Sequence, residues 1–466
     1  MHKRLLACVM VAGLVAAGCT GKGAVKANPG TAAAGATTTT IDTDKKFGSL
    51  DNPCGKSDKT ATVKATQNGG KTDKLYIGVA NDREGIRPGL LKELWDGTNA
   101  FVKWCNDHGG INGLQLAAVD LDGQVVQVEA ATAKGCTSVF AFVGGGYAQD
   151  DGMFSGKPGS DFHQCKLIAV PGFAVSTAFA EGSDQVQPIP NPAYDKAGNS
   201  LDALAKLYPD DVSKFGVVYG NLPSIIQNKD QIIGVAKKIK GYGTYAEVSY
   251  DIINQDWGVI AQQVMTKGLK DVSFVGEPPN MSKFSQALKD QGYTGIINAD
   301  ANQYDSRLIE ASGPAAVEGD IVHIPTYMFE EASKWPAMDQ LVKIFNTEVP
   351  DWQHAGLSIY AFSAGLMFAG AAKSCADVGE ITRECVLKAV QGVHKWDGGG
   401  IQTQTDPGAN TPAACGVLVQ IKNGKFERLF PKLDSKDDNG KGFYCSPTIK
   451  LSGDYGKGNT ISSILG

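Results

Sequence analysis

Two hydrophobic periods alternate along this chain. Short apolar runs bounded by polar residues give way to stretches in which apolar residues recur every three or four positions. The first run, Leu75-Tyr76-Ile77-Gly78-Val79-Ala80, predicts a buried strand. Leu91, Leu94, Thr98, Phe101, Val102 and Cys105 then share one face of a helix. Asp107-His108-Gly109-Gly110 ends it, because glycine takes the left-handed C-cap conformation without a Cβ penalty. A turn at Ile111-Asn112-Gly113 leads to a second strand over 114–121 and a helix near 125–133. A third strand over 139–143 runs into Gly144-Gly145-Gly146-Tyr147. This order is that of a parallel sheet covered on both faces. Residues 154–163 are glycine-rich and polar and read as a surface loop. A fourth strand over 166–171 ends at Pro171-Gly172, since proline cannot donate to a ladder.

Residues 184–198, with Pro188, Pro190 and Pro192, show neither period. The alternation then resumes. Strands are predicted over 215–219, 246–250, 272–276 and 295–298, with helices over 224–240, 257–267 and 284–291. The same alternation twice in one chain predicts two similar α/β lobes. A strand over 321–326 precedes helices over 336–346, 357–372 and 382–390, the last with Thr382 as N-cap. The 357–372 segment is too short and too glycine-broken to span a membrane, so it reads as core. Val417-Leu418-Val419-Gln420-Ile421 alternates, and Asn423-Gly424 is a hairpin signal.

The chain opens differently. Lys3 and Arg4 precede an apolar stretch over 5–17, the form of a secretory signal. Ala16-Ala17-Gly18-Cys19 resembles a bacterial lipobox, with Ala16 where leucine is usual. That implies cleavage before Cys19 and lipid on its thiol; a plain secretory signal is the alternative. Residues 20–44, rich in Ala, Gly, Thr and Lys, cannot bury enough apolar surface to order and read as a tether. About 400 of the 466 residues remain, enough for two cores. A net charge of −5, with no basic stripe, argues against nucleic acid and polyanions.

Of ten cysteines, eight remain after Cys8 and Cys19 are set aside. An even number in an exported chain predicts disulfides, although many pairings are open. Cys375 and Cys385 are close and flank a loop, so they are paired. Cys136 and Cys165 each precede a strand and are paired. Cys415–Cys445 and Cys54–Cys105 are what remains. No Cys-x-x-Cys occurs and no histidine lies at ligand spacing, so no metal is expected.

In open α/β sheets, ligands bind beyond the carboxyl ends of the strands, where helix N-termini offer free N–H groups. After the first strand, Arg83 can hold a carboxylate with two bonds, or stand as a solvated loop arginine. After the third, Gly145, Gly146 and Tyr147 allow close approach to the backbone, or simply form a loop needing positive φ. The stretch lacks the last glycine of a dinucleotide fingerprint. After the fourth come Phe173 and Ala174, with Ser176 and Thr177 beyond. The second series offers Asn221, Ser224 (alternatively only an N-cap) and Asp300, with Tyr304 and Tyr327 as further aromatic candidates. There is no Gly-x-Ser-x-Gly elbow and no triad context for a histidine, and carboxylates such as Asp150-Asp151 are merely adjacent. Neither an enzyme nor a cofactor is expected.

The stretch Trp104-Cys105-Asn106-Asp107-His108-Gly109-Gly110-Ile111-Asn112-Gly113-Leu114-Gln115-Leu116, set in this element order, resembles the type I solute-binding proteins of ABC importers. The branch is that of the leucine/isoleucine/valine-binding proteins, and the resemblance covers residues 74–450. It implies two Rossmann-like lobes with parallel sheets joined by a three-segment hinge. Lobe one would be 73–187 and 327–414, and lobe two 188–326 and 415–452. A signal peptide (1–18), a tether (19–72) and a tail (453–466) complete the chain. Asp300 matches the position where the family sets an acid against a ligand ammonium. The hydroxyls that hold an α-carboxylate after strands three and four are replaced by Gly145-Gly146-Tyr147 and Phe173-Ala174. The implied function is a monomeric, lipid-anchored receptor on the outer face of the bacterial cytoplasmic membrane. It would capture a small polar ligand (an amino acid, amide or related compound) and deliver it to ABC permease subunits. The alternative is a ligand-sensing or accessory envelope lipoprotein of the same fold, acting on a non-permease partner.

Overall fold

A computed structural model describes residues 45–458; the signal, Cys19 and the tether to residue 44 lie outside them. Two sheets carry the fold. In the first, Leu116–Asp122, Leu75–Asn81, Ala141–Val143 and Ala169–Val170 lie side by side in that order, all parallel. Leu75–Asn81 is buried at every position but Tyr76, as a central parallel strand between helices must be. The helix Lys92–Asp107 buries the predicted face, including Leu94, Phe101 and Cys105. It packs on the long helix Gly356–Val378, with Phe101 edge-on to Phe362 at 5.6 Å. Its end is the expected glycine cap: Gly109 and Gly110 have φ of 107° and 76°, and Gly110 N–H donates to Cys105 O at 2.8 Å.

The second sheet runs Lys425–Phe430, Cys415–Lys422, Ile321–Ile324, Ile296–Ala299, Asp271–Val275, Phe215–Gly220, Thr244–Tyr250, with Tyr444–Cys445 also paired to Cys415–Lys422. The five strands from Ile321–Ile324 onward are parallel. Cys415–Lys422 and Lys425–Phe430 are antiparallel. They turn at Asn423 and Gly424, whose φ of 51° and 73° suit a primed hairpin turn. The chain passes between the sheets three times: after Val170, after Ile324 and before Cys415. A short ribbon of Asp195–Lys196 with Ile449–Lys450 ties two of the outer segments together. No helix among the described residues is long and apolar enough to cross a membrane.

Several expectations change. Residues 45–72, placed in the tether, are packed on the body. Phe47 is fully buried against Trp104 and Phe362, and Cys54 is bonded to Cys105. The polar loop over 154–163 carries a buried anchor, Phe162, edge-on to Phe142 at 5.3 Å. The tail is docked at least to residue 458, with Tyr455 packed on Tyr194. The helix Asn199–Leu207 was not expected, because its apolar positions follow directly on an unperiodic segment. Disulfides join Cys54–Cys105, Cys136–Cys165, Cys375–Cys385 and Cys415–Cys445.

The third and fourth strands begin later than their apolar runs, and one side chain accounts for it. Arg383, the first residue of the helix Arg383–Gln391 capped by Thr382, is buried. Its guanidinium donates to the carbonyls of Phe140, Cys165, Lys166, Gln67 and Val139 at 2.7–3.0 Å. Val139, Phe140 and Lys166 lie in the apolar runs ahead of the two strands, and Gln67 and Cys165 lie outside them. Burial draws the guanidinium pKa down to about 10, still well above neutrality. We expect Arg383→Met to strand five acceptors and cost on the order of 3–5 kcal/mol. Thermal and urea unfolding would measure it, and a change below about 1 kcal/mol would contradict the role.

Buried carboxylates set the pH response. Burial pushes Asp271 up to about 8, Glu93, Asp150 and Asp320 to about 7, and Asp82 to about 6. The unfolded values lie near about 4. Between those limits the folded chain holds protons that the unfolded chain has lost, so stability falls as pH rises. His323, drawn down to about 4 by burial, and His354, lowered likewise, act oppositely below about pH 6.5, but they are two groups against five. The melting temperature should therefore fall between about pH 5 and about pH 8. Asp271→Asn, which keeps the bond from Asn298 Nδ2, should flatten the upper part of that slope. A melting temperature that rises over this range would refute the assignment.

Candidate functional site

The carboxyl ends of both sheets face one cavity of about 320 Å³. The first sheet contributes Arg87, Leu90, Leu91, Glu93, Val125, Ala148 and the run Phe173-Ala174-Val175. The second contributes Ile252, Gly276, Glu277 and Asp300, with Ile225, Ile232 and Val235 from the helix Pro223–Ala236. Leu357 and Tyr360 enter from the long helix, and Gln187, Ile189, Asn191 and Lys196 from the crossing segment. Apolar side chains make most of the wall.

One part of the wall is charged. Asp300 follows the strand Ile296–Ala299 and is exposed to the cavity, with protein packed around it. No described residue donates a hydrogen bond to its carboxylate. Burial raises its pKa, and the positive charge of Lys196 opposes the rise. Lys196 is itself buried, and its Nζ donates to Asn191 Oδ1 at 2.6 Å. Desolvation lowers its pKa to about 8, against the charges of Asp300 and Glu181. The two groups feel each other but form no ion-pair contact. Burial, then the charge of Asp300, keeps the Tyr360 hydroxyl protonated.

Elsewhere charged groups pair between the two sheets. Arg307 bonds Glu93 at 2.8 Å, together with Asp305 and the Gly89 carbonyl. Arg87 meets Glu277 at 3.4 Å. Ser224 is not a cap: Leu222 precedes a helix that starts with proline, and the Ser224 hydroxyl donates to Ala148 O at 2.9 Å. Thr177 lies next to Gln227 from the other side of the cleft.

Two strained residues line this wall. Leu91 and Val125 both sit in the left-handed region, with φ of 56° and 70°. A β-branched residue there is a true outlier. Asp82 holds the strained turn by accepting from Val125 N–H at 2.8 Å, and accepts from Ala148 N–H at 2.7 Å.

Of the residues singled out from sequence, the structure brings Phe173, Ala174 and Asp300 to the cavity. Arg83 is turned away, paired with Asp120 and stacked 4.6 Å from the Trp95 ring. Gly145 and Gly146 pack on backbone: a Cβ would come within 2.3 Å of Ala80 and of Phe173 O respectively. Tyr147 is fully buried, its hydroxyl on Leu121 O at 2.8 Å. Asn221 ties its loop to the one after Thr244–Tyr250 by accepting from Ile252 N–H at 3.2 Å. Tyr304 and Tyr327 are buried among aromatic rings. Lys196, Tyr360, Arg87, Glu277, Glu93 and Arg307 were not anticipated. The Arg87-Pro88 pair after the first strand was the one available signal. No group of histidine, cysteine and carboxylate side chains among the described residues could hold a metal ion.

A family model described as "Periplasmic binding protein" matches residues 74–425. No curated protein sequence matches the chain. Similar solved structures include a fatty acid ABC transporter substrate-binding protein from Thermomonospora curvata. It has a TM-score of 0.66 at 15% identity, covering 85% of this chain and 95% of that one. The leucine binding protein LivK from Thermotoga maritima gives a TM-score of 0.61 at 17% identity, covering 76% and 97%. The branched-chain amino acid transporter substrate binding protein LivJ from Streptococcus pneumoniae, in complex with isoleucine, gives 0.61 at 14%, covering 77% and 100%. Likeness at these identities shows the fold. The family match over most of the chain shows more: the protein belongs to the periplasmic binding protein family and has its type I fold.

Proposed function

We propose that this protein is an extracytoplasmic solute receptor that captures a small polar ligand, an amino acid, amide or related compound and foremost one that bears an ammonium, and hands it to an ABC permease. The observation that carries this reading is the unpaired Asp300 carboxylate at the head of a cavity between two sheets. A ligand there touches both sheets at once, so binding favours the closed arrangement. Arg307–Glu93 and Arg87–Glu277 define that arrangement, and a permease would recognise it. We place residues 73–187 and 327–414 in one lobe and 188–326 and 415–452 in the other. The three crossings would serve as the hinge, and lipid on Cys19 would hold the receptor at the membrane.

Two outcomes follow. In a thermal-shift screen of amino acids, amides, small peptides, sugars and aromatic acids, at least one ammonium-bearing compound should stabilise the protein. At a hundred times its Kd it should add about 2.7 kcal/mol. Asp300→Asn should weaken that compound at least about tenfold without lowering the ligand-free melting temperature, since no described residue bonds its carboxylate. Silence across the whole panel would overturn the receptor reading. Separately, Cys19→Ala should release the protein from membranes in its host, and unchanged membrane fractionation would remove the anchor.

A further inference from the structure

We propose that the cavity is built for an amphiphilic zwitterion, its apolar body larger than an amino-acid side chain, its ammonium on Asp300 and its carboxylate on Lys196. This rests on the reading that the cavity holds a captured solute.

Size comes first. A dry cavity of about 150 Å³ accommodates benzene. The cavity here, at about 320 Å³, is about twice that. A branched-chain side chain, smaller than benzene, would leave much of it empty or wet. The wall argues the same way. Leu90, Val125, Ile189, Ile232, Ile252 and Leu357 offer nothing to a polar body. Each methylene buried among them gains about 0.8 kcal/mol.

The apolar character continues outward. Among the described residues, six large apolar side chains are exposed. Four of them, Ile86, Val126, Ile226 and Ile253, directly adjoin in sequence the cavity-lining Arg87, Val125, Ile225 and Ile252. They come from both sheets. Isolated exposed apolar residues need no explanation, but four of six standing next to wall residues extend the apolar character of the segments that line the cavity.

The head group follows from charge balance. Lys196 is buried with an amide oxygen as its hydrogen-bond partner and no carboxylate in contact. Such a cation lacks a counterion that a ligand carboxylate would supply. The Asp300 carboxylate likewise lacks a donor. Gln187, 3% exposed and facing the cavity from the same crossing segment as Lys196, has an unpaired amide oxygen that can accept from the ammonium. A fatty acid would bring its carboxylate into the field of Asp300 and leave Asp300 unmatched. A simple amine would leave Lys196 unmatched. A zwitterion answers both. Lys196 thus takes the place of the hydroxyls missing after the third and fourth strands.

The test is calorimetric titration of the purified protein with leucine, α-aminododecanoic acid, dodecanoic acid and dodecylamine, each below its micelle concentration. We expect α-aminododecanoic acid to bind at least about tenfold tighter than each of the other three. Lys196→Met and Asp300→Asn should each remove about tenfold or more of that affinity. The ranking on the unmodified protein decides the matter even if a variant fails to fold. Leucine binding as tightly as α-aminododecanoic acid would overturn the large apolar body and leave the receptor reading intact. Dodecanoic acid binding as tightly, with no loss in Asp300→Asn, would overturn the zwitterionic head. Binding by none of the four would overturn this inference, while the broad screen above judges the receptor reading separately.

Discussion

The relation between the two sheets depends on one guanidinium. Arg307 lies on a helix that follows the fourth parallel strand of the second sheet. It reaches across to Glu93 and the Gly89 carbonyl, beyond the first strand of the other sheet. Asp305 orients it from its own loop. Arginine suits the role because its planar fork serves several acceptors at once. Even so, burial overcomes the attraction and lifts the Glu93 carboxyl to about 7. Glu93 and Asp305 in turn hold the Arg307 guanidinium charged, so the contact across the cleft is specific for this arrangement. A ligand can shift such an equilibrium only by its differential affinity.

With the sheets so placed, the rest of the site follows from topology. Parallel strands all point their carboxyl ends one way, so two such sheets joined by three crossings can turn those ends on a shared space. The crossing segments necessarily pass its edge. That is why Lys196, two residues before Gly198, and Tyr360, one turn into the long helix, become wall residues. Neither belongs to a strand end of the two sheets. Each is there because the chain has to travel between them.

This explains what the sequence revealed and what it hid. The helix Lys92–Asp107, the strand Leu75–Asn81 and the hairpin at Asn423-Gly424 are local: period, cap and turn chemistry sit within a few residues. Asp300 was legible because strand ends are where ligands bind. The choice between Arg83 and Arg87 was not. Glycines at 85 and 89 with positive φ, and the bridge from Asp82 to Leu90, fold the loop so that Arg87 turns inward while Arg83 meets Asp120. Gly145 and Gly146 show the same limit. Glycine signals that something approaches closely, and here it is the protein's own backbone. Whether the neighbour is a ligand or a strand is set by residues far away in the chain.

Several departures from the fold's own rules lie at the cavity. Some buried polar groups elsewhere are closely matched, as where five carbonyls share Arg383 and Asp82 caps two loops, while others such as Asp184 Oδ1 and Gln291 Oε1 stand unpaired. Around the cavity, Asp300 has no donor, Lys196 has no carboxylate in contact, the Gln187 oxygen is unpaired, and Leu91 and Val125 are strained. The buried, unpaired Gln187 oxygen and the strained Leu91 and Val125 each cost on the order of 1–3 kcal/mol. A cavity wall free of function would be cheaper if it were apolar throughout and relaxed. Such costs at the meeting of two sheets, beside a cavity of about 320 Å³, are what a wall made for an occupant would carry.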